Sequence, residues 1–356
     1  MDDFAVDSTG ESAHVGAADS FISNQQPIRM LELSLACQLT DRTRALVDGK
    51  AAIDGCNINF INGPAEELFQ RAFRHGEFDI AELSLGTHLM TTARGQSRYV
   101  AIPVFLSRSF RHSAIYVRGD RGIERPEMLK GRRIGVPDFQ QTAGIWVRGM
   151  LNDEYGVRSS DVRWVTGGLE QTGRQARMPY SLPDEIHVEP IAPNDTLAML
   201  LDRGEIDAVI APKPPSCFGR NPDVRRLFPE YREAEEAWFA KTGLFPLMHV
   251  VGIRRTLVEA HPWLPVNVYA AFCKSRDIAL GELSIMDTLR VMHPWLVSEI
   301  ERVRALMGQD FWRYGVAENR TDLDTLQRYA KNDGLIGHEV PIEQLFAGST
   351  FDNFRF

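Results

Sequence analysis

Short apolar runs alternate with amphipathic stretches along most of the chain, the pattern of an α/β protein whose strands are buried on both faces. Met30 to Ala36 reads as a first strand, Ile58 to Ile61 as a second, and Pro64 to His75 as a helix with its proline in an early position. Asp79 to Leu83 closes a first βαβ-like unit, and two more apolar stretches follow at Tyr99 to Leu106 and Ser113 to Val117. A second unit begins near Gly119, with a short helix around Pro126 to Lys130, a strand at Arg133 to Val136, and a helix from Gln141 to Tyr155 that Gly156 stops. Strands at Val162 to Val165, Ile186 to Ile191 and Ala208 to Ile210, with a helix at Thr196 to Arg203, complete it. The polar, aperiodic segment Gly167 to Leu182 reads as a long functional or mobile loop. Leu244 to Ile253 is strand-like again, and helical patterns dominate from Pro262 to about Ala330.

One local pattern occurs in both units. Gly76-Glu77-Phe78-Asp79 and Gly204-Glu205-Ile206-Asp207 each end a helical run and pass into a short apolar strand. Each glycine stands where a helix C-terminus favours a left-handed residue. The recurrence predicts two lobes built alike, with ligand-facing groups beyond the carboxyl ends of the strands, at Glu82 and Ser84 on one side and Lys213 on the other. The expected architecture is a discontinuous first lobe, 28–118 plus 245–356, with a second lobe, 119–244, inserted into it. Crossovers near 118 and 245 would form the hinge. It resembles type II periplasmic binding proteins: two α/β lobes around a central ligand cleft, here with a helical C-terminal region.

Composition narrows the partners. At 356 residues and 44% hydrophobic content the chain can fill two cores, and a net charge of -8 argues against nucleic acid as the partner. No apolar run approaches the roughly 18 residues that cross a bilayer, so no membrane partner is expected. Residues 1–27 hold five acids and no Lys or Arg, which predicts a disordered polar leader and a cytoplasmic location. Cys37, Cys56, Cys217 and Cys273 are too scattered for a zinc cage or a disulfide framework. A homo-oligomeric state stays open.

Candidate chemistry collects in a few segments. Arg108, Arg111 and His112 form a cationic cluster beside a strand start, suited to gripping a carboxylate, although a solvated loop explains it as simply. Asp138, Gln140 and Thr142 lie between a strand and a helix start, where free N–H groups and the helix dipole favour an anion; ordinary capping is the plain alternative. His249 sits within an apolar run, a position more common for a core histidine than for a catalyst, and Glu82 could be a capped strand-end acid. Glu233, Glu235 and Glu236 read as a solvated helix face. No G-x-S-x-G elbow, phosphate loop or H-x-x-x-H pair is present.

Taken together, Ser107 to Val117, Gly135 to Trp146, Gly149 to Val157 and Thr242 to His249 resemble the 4,5-dihydroxyphthalate decarboxylase family, over about Met30 to Leu283. The resemblance implies a cytoplasmic enzyme that removes one carboxyl from a small aromatic dicarboxylate without a cofactor or metal. It implies that His112 or His249 acts as the acid, that Glu82 orients the histidine or takes a phenol proton, and that Arg108, Arg111 and Arg148 clamp carboxylate. Two rivals share the fold: a non-catalytic solute-binding protein for an aromatic acid or thiamine-precursor-like compound, and a metal-assisted decarboxylase with His112, His249 and Glu82 as ligands.

Overall fold

The computed structural model describes residues 30–174 and 176–351, so the leader expected over residues 1–27 lies outside the described residues. The chain first forms β1 (Leu31–Ala36), α1 (Asp41–Val47), β2 (Cys56–Ile61), α2 (Ala65–His75), β3 (Ile80–Ser84), α3 (Leu85–Ala93) and β4 (Tyr99–Arg108). A 3-10 turn at His112–Ala114 leads into β5 (Ile115–Arg118), β6 (Arg133–Val136), α4 (Thr142–Tyr155), β7 (Arg163–Thr166), β8 (Val188–Pro190), α5 (Leu197–Asp202), β9 (Ala208–Ile210), β10 (Val224–Arg226) and α6 (Tyr231–Thr242). Then come β11 (Leu247–Arg254), α7 (Arg255–Ala260), α8 (Leu264–Glu282), α9 (Leu296–Met307), α10 (Arg320–Asn332) and α11 (Ile342–Leu345).

The strands make a five-stranded sheet in the order β2-β1-β3-β11-β4 and a six-stranded sheet in the order β10-β5-β9-β6-β7-β8. The two orders superimpose as topologies, with β2, β1, β3, β11 and β4 matching β7, β6, β9, β5 and β10. In each sheet the middle strand, β3 or β9, runs parallel to one neighbour and antiparallel to the other. The Gly-Glu-x-Asp corners explain why. Gly76 (φ 60°) and Gly204 (φ 71°) take the left-handed turn after their helices. Asp79 Oδ2 then accepts the Ser34 amide at 2.9 Å, and Asp207 Oδ2 accepts the Arg133 amide at 2.9 Å. Each aspartate thus ties its strand to the parallel neighbour, while its carbonyl accepts from the antiparallel one, Arg254 N or Arg118 N.

The chain changes sheet between Arg108 and Ile115 and returns between Thr242 and Leu247. Because β5 pairs with β9 and β10, a lobe boundary drawn on sheet membership would fall at 109–114 rather than at 118. Five elements, α1, α3, α7, α11 and β10, have no counterpart in the sequence-based expectations. Helix α3 is buried on nearly every side and starts at the residue after β3, so no polar gap marks the change. Strand β10 has 3 residues and α1 has 7, too short for a period to register.

The C-terminal helices brace the cleft-forming helix α4. Asp333, just beyond α10, receives Arg148 of α4 at 2.8 Å, and Arg328 and Tyr329 of α10 both donate to Asp153. The helices approach so closely that a Cβ at Gly149 would lie 2.1 Å from the Tyr329 ring. Trp146 Nε1 of α4 donates to the Leu247 carbonyl of β11 at 2.8 Å, which joins the two lobes at the second crossover. No helix among the described residues is long and apolar enough to cross a membrane.

Candidate active site

The antiparallel register of β3 against β11 sets His249 opposite Ser84 and Val251 opposite Glu82. Side chains alternate along a strand, so Glu82, Ser84 and His249 share one face of the sheet. There His249 Nδ1 lies 2.6 Å from Glu82 Oε1, while Glu82 Oε2 accepts the Gln38 amide at 2.9 Å. A carboxylate can only accept here, so Nδ1 carries the hydrogen and Nε2 is left unpaired among the described residues. Glu82 is buried, and the His249 side chain is 20% exposed. The pairing of β11 with β4 shifts register on either side of His249, the kind of irregularity that re-aims a side chain. Phe69 of α2 packs edge-on against the imidazole at a centroid distance of 4.8 Å.

Ser84 ends β3 and precedes α3, and across the lobe interface it meets the start of α4. Ser84 Oγ and Thr142 Oγ1 are 3.0 Å apart, and Thr142 Oγ1 also accepts the Gly86 amide at 3.0 Å. Glycine at 86 permits this close approach, since a Cβ would stand 2.9 Å from Ile145 Cδ1 and 3.1 Å from Thr142 Oγ1 and would push those side chains back. The positive ends of two helices therefore converge where each has N–H groups without an intrahelical acceptor. Gln140 is fully buried; its Nε2 donates to the Met178 carbonyl at 2.9 Å, and its Oε1 has no partner among the described residues.

The segment 167–182 supplies what the sequence reading did not name. Asp138 accepts the Gln140 amide at 3.1 Å and the Arg177 amide at 3.2 Å, so it fixes this loop to the strand-helix turn. Arg177 then reaches Glu66 of α2 with both Nε and Nη2, and Arg174 reaches the same carboxylate at 2.8 Å. Arg177 Nη1 donates to Thr87 Oγ1 at 3.4 Å, and its guanidinium lies over the Phe69 ring at 5.1 Å. Burial works to raise the Glu66 carboxyl, but Arg177 and Arg174 together hold it below the usual carboxylate range. The local signal for these residues was the aperiodic loop itself; nothing in it marked Glu66 as its partner.

The remaining predicted residues divide by what already holds them. Arg108 is buried and donates to Asp322, Asn319 and the Phe245 and Arg313 carbonyls, so its charge serves the packing of α10 against the first crossover. Arg148 is held by Asp333 through Nε and by the Phe139 carbonyl through Nη2, and it stacks on the Phe139 ring at 3.9 Å, while its buried Nη1 has no partner among the described residues. Arg111 makes no ion pair among the described residues, and burial, opposed by Glu235, brings it down to about 10, so it keeps its charge at neutral pH. His112 is buried between Phe228 and Trp238, its Nδ1 has no partner among the described residues, and burial pushes it down to about 4. Glu235, expected on a solvated face, instead accepts the Ser113 amide at 3.2 Å. Lys213 is exposed. His112 does not join His249 and Glu82, and no group of three or more His, Cys, Asp or Glu among the described residues could hold a metal.

Two α/β lobes meeting over paired helix N-termini define the type II periplasmic-binding-protein-like class. The periplasmic aliphatic sulphonate-binding protein of Escherichia coli shares this fold, with 14% identity, a TM-score of 0.52, and coverage of 88% of this chain and 91% of that one. So does the periplasmic sulfonate-binding protein of Methylobacillus flagellatus, at 14% identity and TM-score 0.52, covering 89% of this chain and 92% of that one. Sequence relatives are far more specific. The chain is 44% identical to 4,5-dihydroxyphthalate decarboxylase of Comamonas testosteroni over 91% of this chain and 99% of the relative. It is 47% identical to 4,5-dihydroxyphthalate decarboxylase of Pseudomonas putida over 60% of this chain and 84% of the relative. The chain belongs to the 4,5-dihydroxyphthalate decarboxylase family. No family model matches it.

Proposed function

We propose that the protein is a cytoplasmic carboxy-lyase that converts 4,5-dihydroxyphthalate to 3,4-dihydroxybenzoate and carbon dioxide. The observation that carries the proposal is the Glu82–His249 pair, at 2.6 Å, in a family whose relatives bear that activity in their names. Direct loss of the carboxyl would leave an aryl carbanion. A hydroxyl para to the leaving carboxylate pushes electron density onto the ring carbon that bears it. His249 Nε2–H protonates that carbon as the para hydroxyl gives up its proton. The C–C bond then breaks, its electrons restore the aromatic ring, carbon dioxide leaves, and the phenolate is reprotonated. The net reaction consumes one proton, which the imidazole regains from water.

Glu82 holds Nδ1 and stabilises the imidazolium that delivers the proton, a role suited to a buried, fixed carboxylate. Ser84, Gln140 and Thr142 line the meeting point of the two helices, where an anionic group is favoured. Arg111 adds a cation at the first crossover. His112, held neutral by burial, is the weaker candidate for the acid.

The test incubates the purified protein with 4,5-dihydroxyphthalate near neutral pH and follows carbon dioxide and 3,4-dihydroxybenzoate by chromatography. Intact substrate would overturn the assignment, and binding without turnover would return the chain to the solute-binding reading. His249→Ala should lower kcat by roughly 10²–10⁴-fold while the substrate still binds. An unchanged kcat would remove His249 from the proton step.

A further inference from the structure

Glu66 places a carboxylate among the features that suit an anionic ligand. Two guanidinium groups hold it, Arg174 at 2.8 Å and Arg177 through Nε and Nη2, and Gln141 Nε2 at the N-terminus of α4 lies 3.5 Å away. The pair is unequal in its access to water. The Arg177 side chain is 2% exposed and the Glu66 side chain 40%. Glu66 has a path to solvent, whereas Arg177 has none. Withdrawal of Glu66 alone would strand a buried cation, which is expensive. Replacement of Glu66 by another carboxylate leaves the buried charge unchanged. Arg177 also lies over one side of the Phe69 ring environment that His249 packs against, so the cation and the imidazole border the same side chain.

We propose that Arg177, with Arg174 beside it, receives one carboxylate of the ortho pair on the substrate, and that Glu66 is an internal stand-in displaced when the dicarboxylate enters. The assignment rests on the dicarboxylate reading above and adds the residue that separates a dicarboxylate from a monocarboxylate. A planar guanidinium meets a carboxylate in bidentate fashion, the geometry Glu66 already displays. A monocarboxylate would have to leave either Glu66 in place or the anion position at the α4 terminus unfilled. Asp138 serves as a positioning residue, because its bond to the Arg177 amide fixes where the guanidinium emerges.

The test uses the full chain and two unreactive probes, phthalate and benzoate, titrated calorimetrically. Wild type should bind phthalate more tightly than benzoate. Arg177→Met should weaken phthalate by about 100-fold and benzoate by no more than about threefold, as expected for loss of a buried charge partner. Glu66→Gln should tighten phthalate by about tenfold, because the internal competitor is gone. Equal weakening of both probes in Arg177→Met, or looser phthalate binding in Glu66→Gln, would overturn the proposal. If Arg177→Met does not fold, Glu66→Gln decides: tighter phthalate binding supports the assignment, and unchanged or weaker binding refutes it. Binding of these probes needs no turnover. A wild type that selects phthalate but releases no carbon dioxide from 4,5-dihydroxyphthalate therefore sinks the decarboxylase reading and leaves this one standing.

Discussion

Both oxygens of Glu82 have fixed partners, the imidazole of His249 and the amide of Gln38, so the ring has little freedom to turn. Glu82→Gln keeps the shape but removes the charge that stabilises an imidazolium; kcat should fall by about tenfold to hundredfold with KM little changed, read from steady-state kinetics. The buried histidines make a separate prediction. Burial lowers His112 to about 4, and it lowers His88 to about 4 against the opposing hydrogen bond to the Leu345 carbonyl. In the unfolded chain both would titrate near 6.5, so between about 6.5 and 4 the unfolded state binds more protons, and stability falls as pH falls through that window. Each contributes up to about 3 kcal/mol of acid lability. His112→Phe, filling the space beside Phe228 and Trp238, should flatten the decline in urea midpoint between pH 7 and pH 5 and leave kcat largely intact. At this scale Glu82, Ser84, Gln140, Thr142 and His249 were legible, because strand ends and helix starts are local features. The carboxylates that hold Arg108 and Arg148, Asp322 and Asp333, are 214 and 185 positions away, so no local pattern shows them.

Helices α3 and α4 point their N-termini at one another, and what fixes α4 is its packing against α10. Gly149 lies against the Tyr329 ring, so Gly149→Ala must push that ring aside. The expected cost is about 1–3 kcal/mol, measured by denaturant unfolding, with a lowered midpoint and an unchanged slope. Most strands were readable to within a few residues from short apolar runs bounded by glycine or polar turns, as for β1, β6 and β9. Helix α3 was not, because Leu85 to Thr91 is buried throughout and its polar stripe, Thr87, His88, Thr91 and Thr92, carries no acidic, Lys or Arg side chain to mark an outer face. Strand β5 was read as a strand but credited to the first lobe, since pairing partners do not appear in a local pattern.

The lobes share a hydrophobic core and many hydrogen bonds, and one of these offers a direct report of separation where α3 meets α4. The Gly86 amide, near the start of α3, donates across the interface to Thr142 Oγ1. Its hydrogen exchange should therefore follow opening of the cleft, and saturating phthalate should slow it at least tenfold by holding the lobes together; exchange unaffected by phthalate would detach ligand binding from closure. The paired Gly-Glu-x-Asp corners tell where sequence sufficed. A left-handed glycine after a helix and an aspartate beside a strand act through neighbouring backbone, so the α/β alternation and the duplicated plan of the two sheets were determined by the sequence alone. Which charges are free was decided only by tertiary structure. An arginine's availability depends on carboxylates brought to it from distant segments: Asp322 and Asp333 tie up Arg108 and Arg148, while a single half-exposed glutamate holds Arg177 at the cleft.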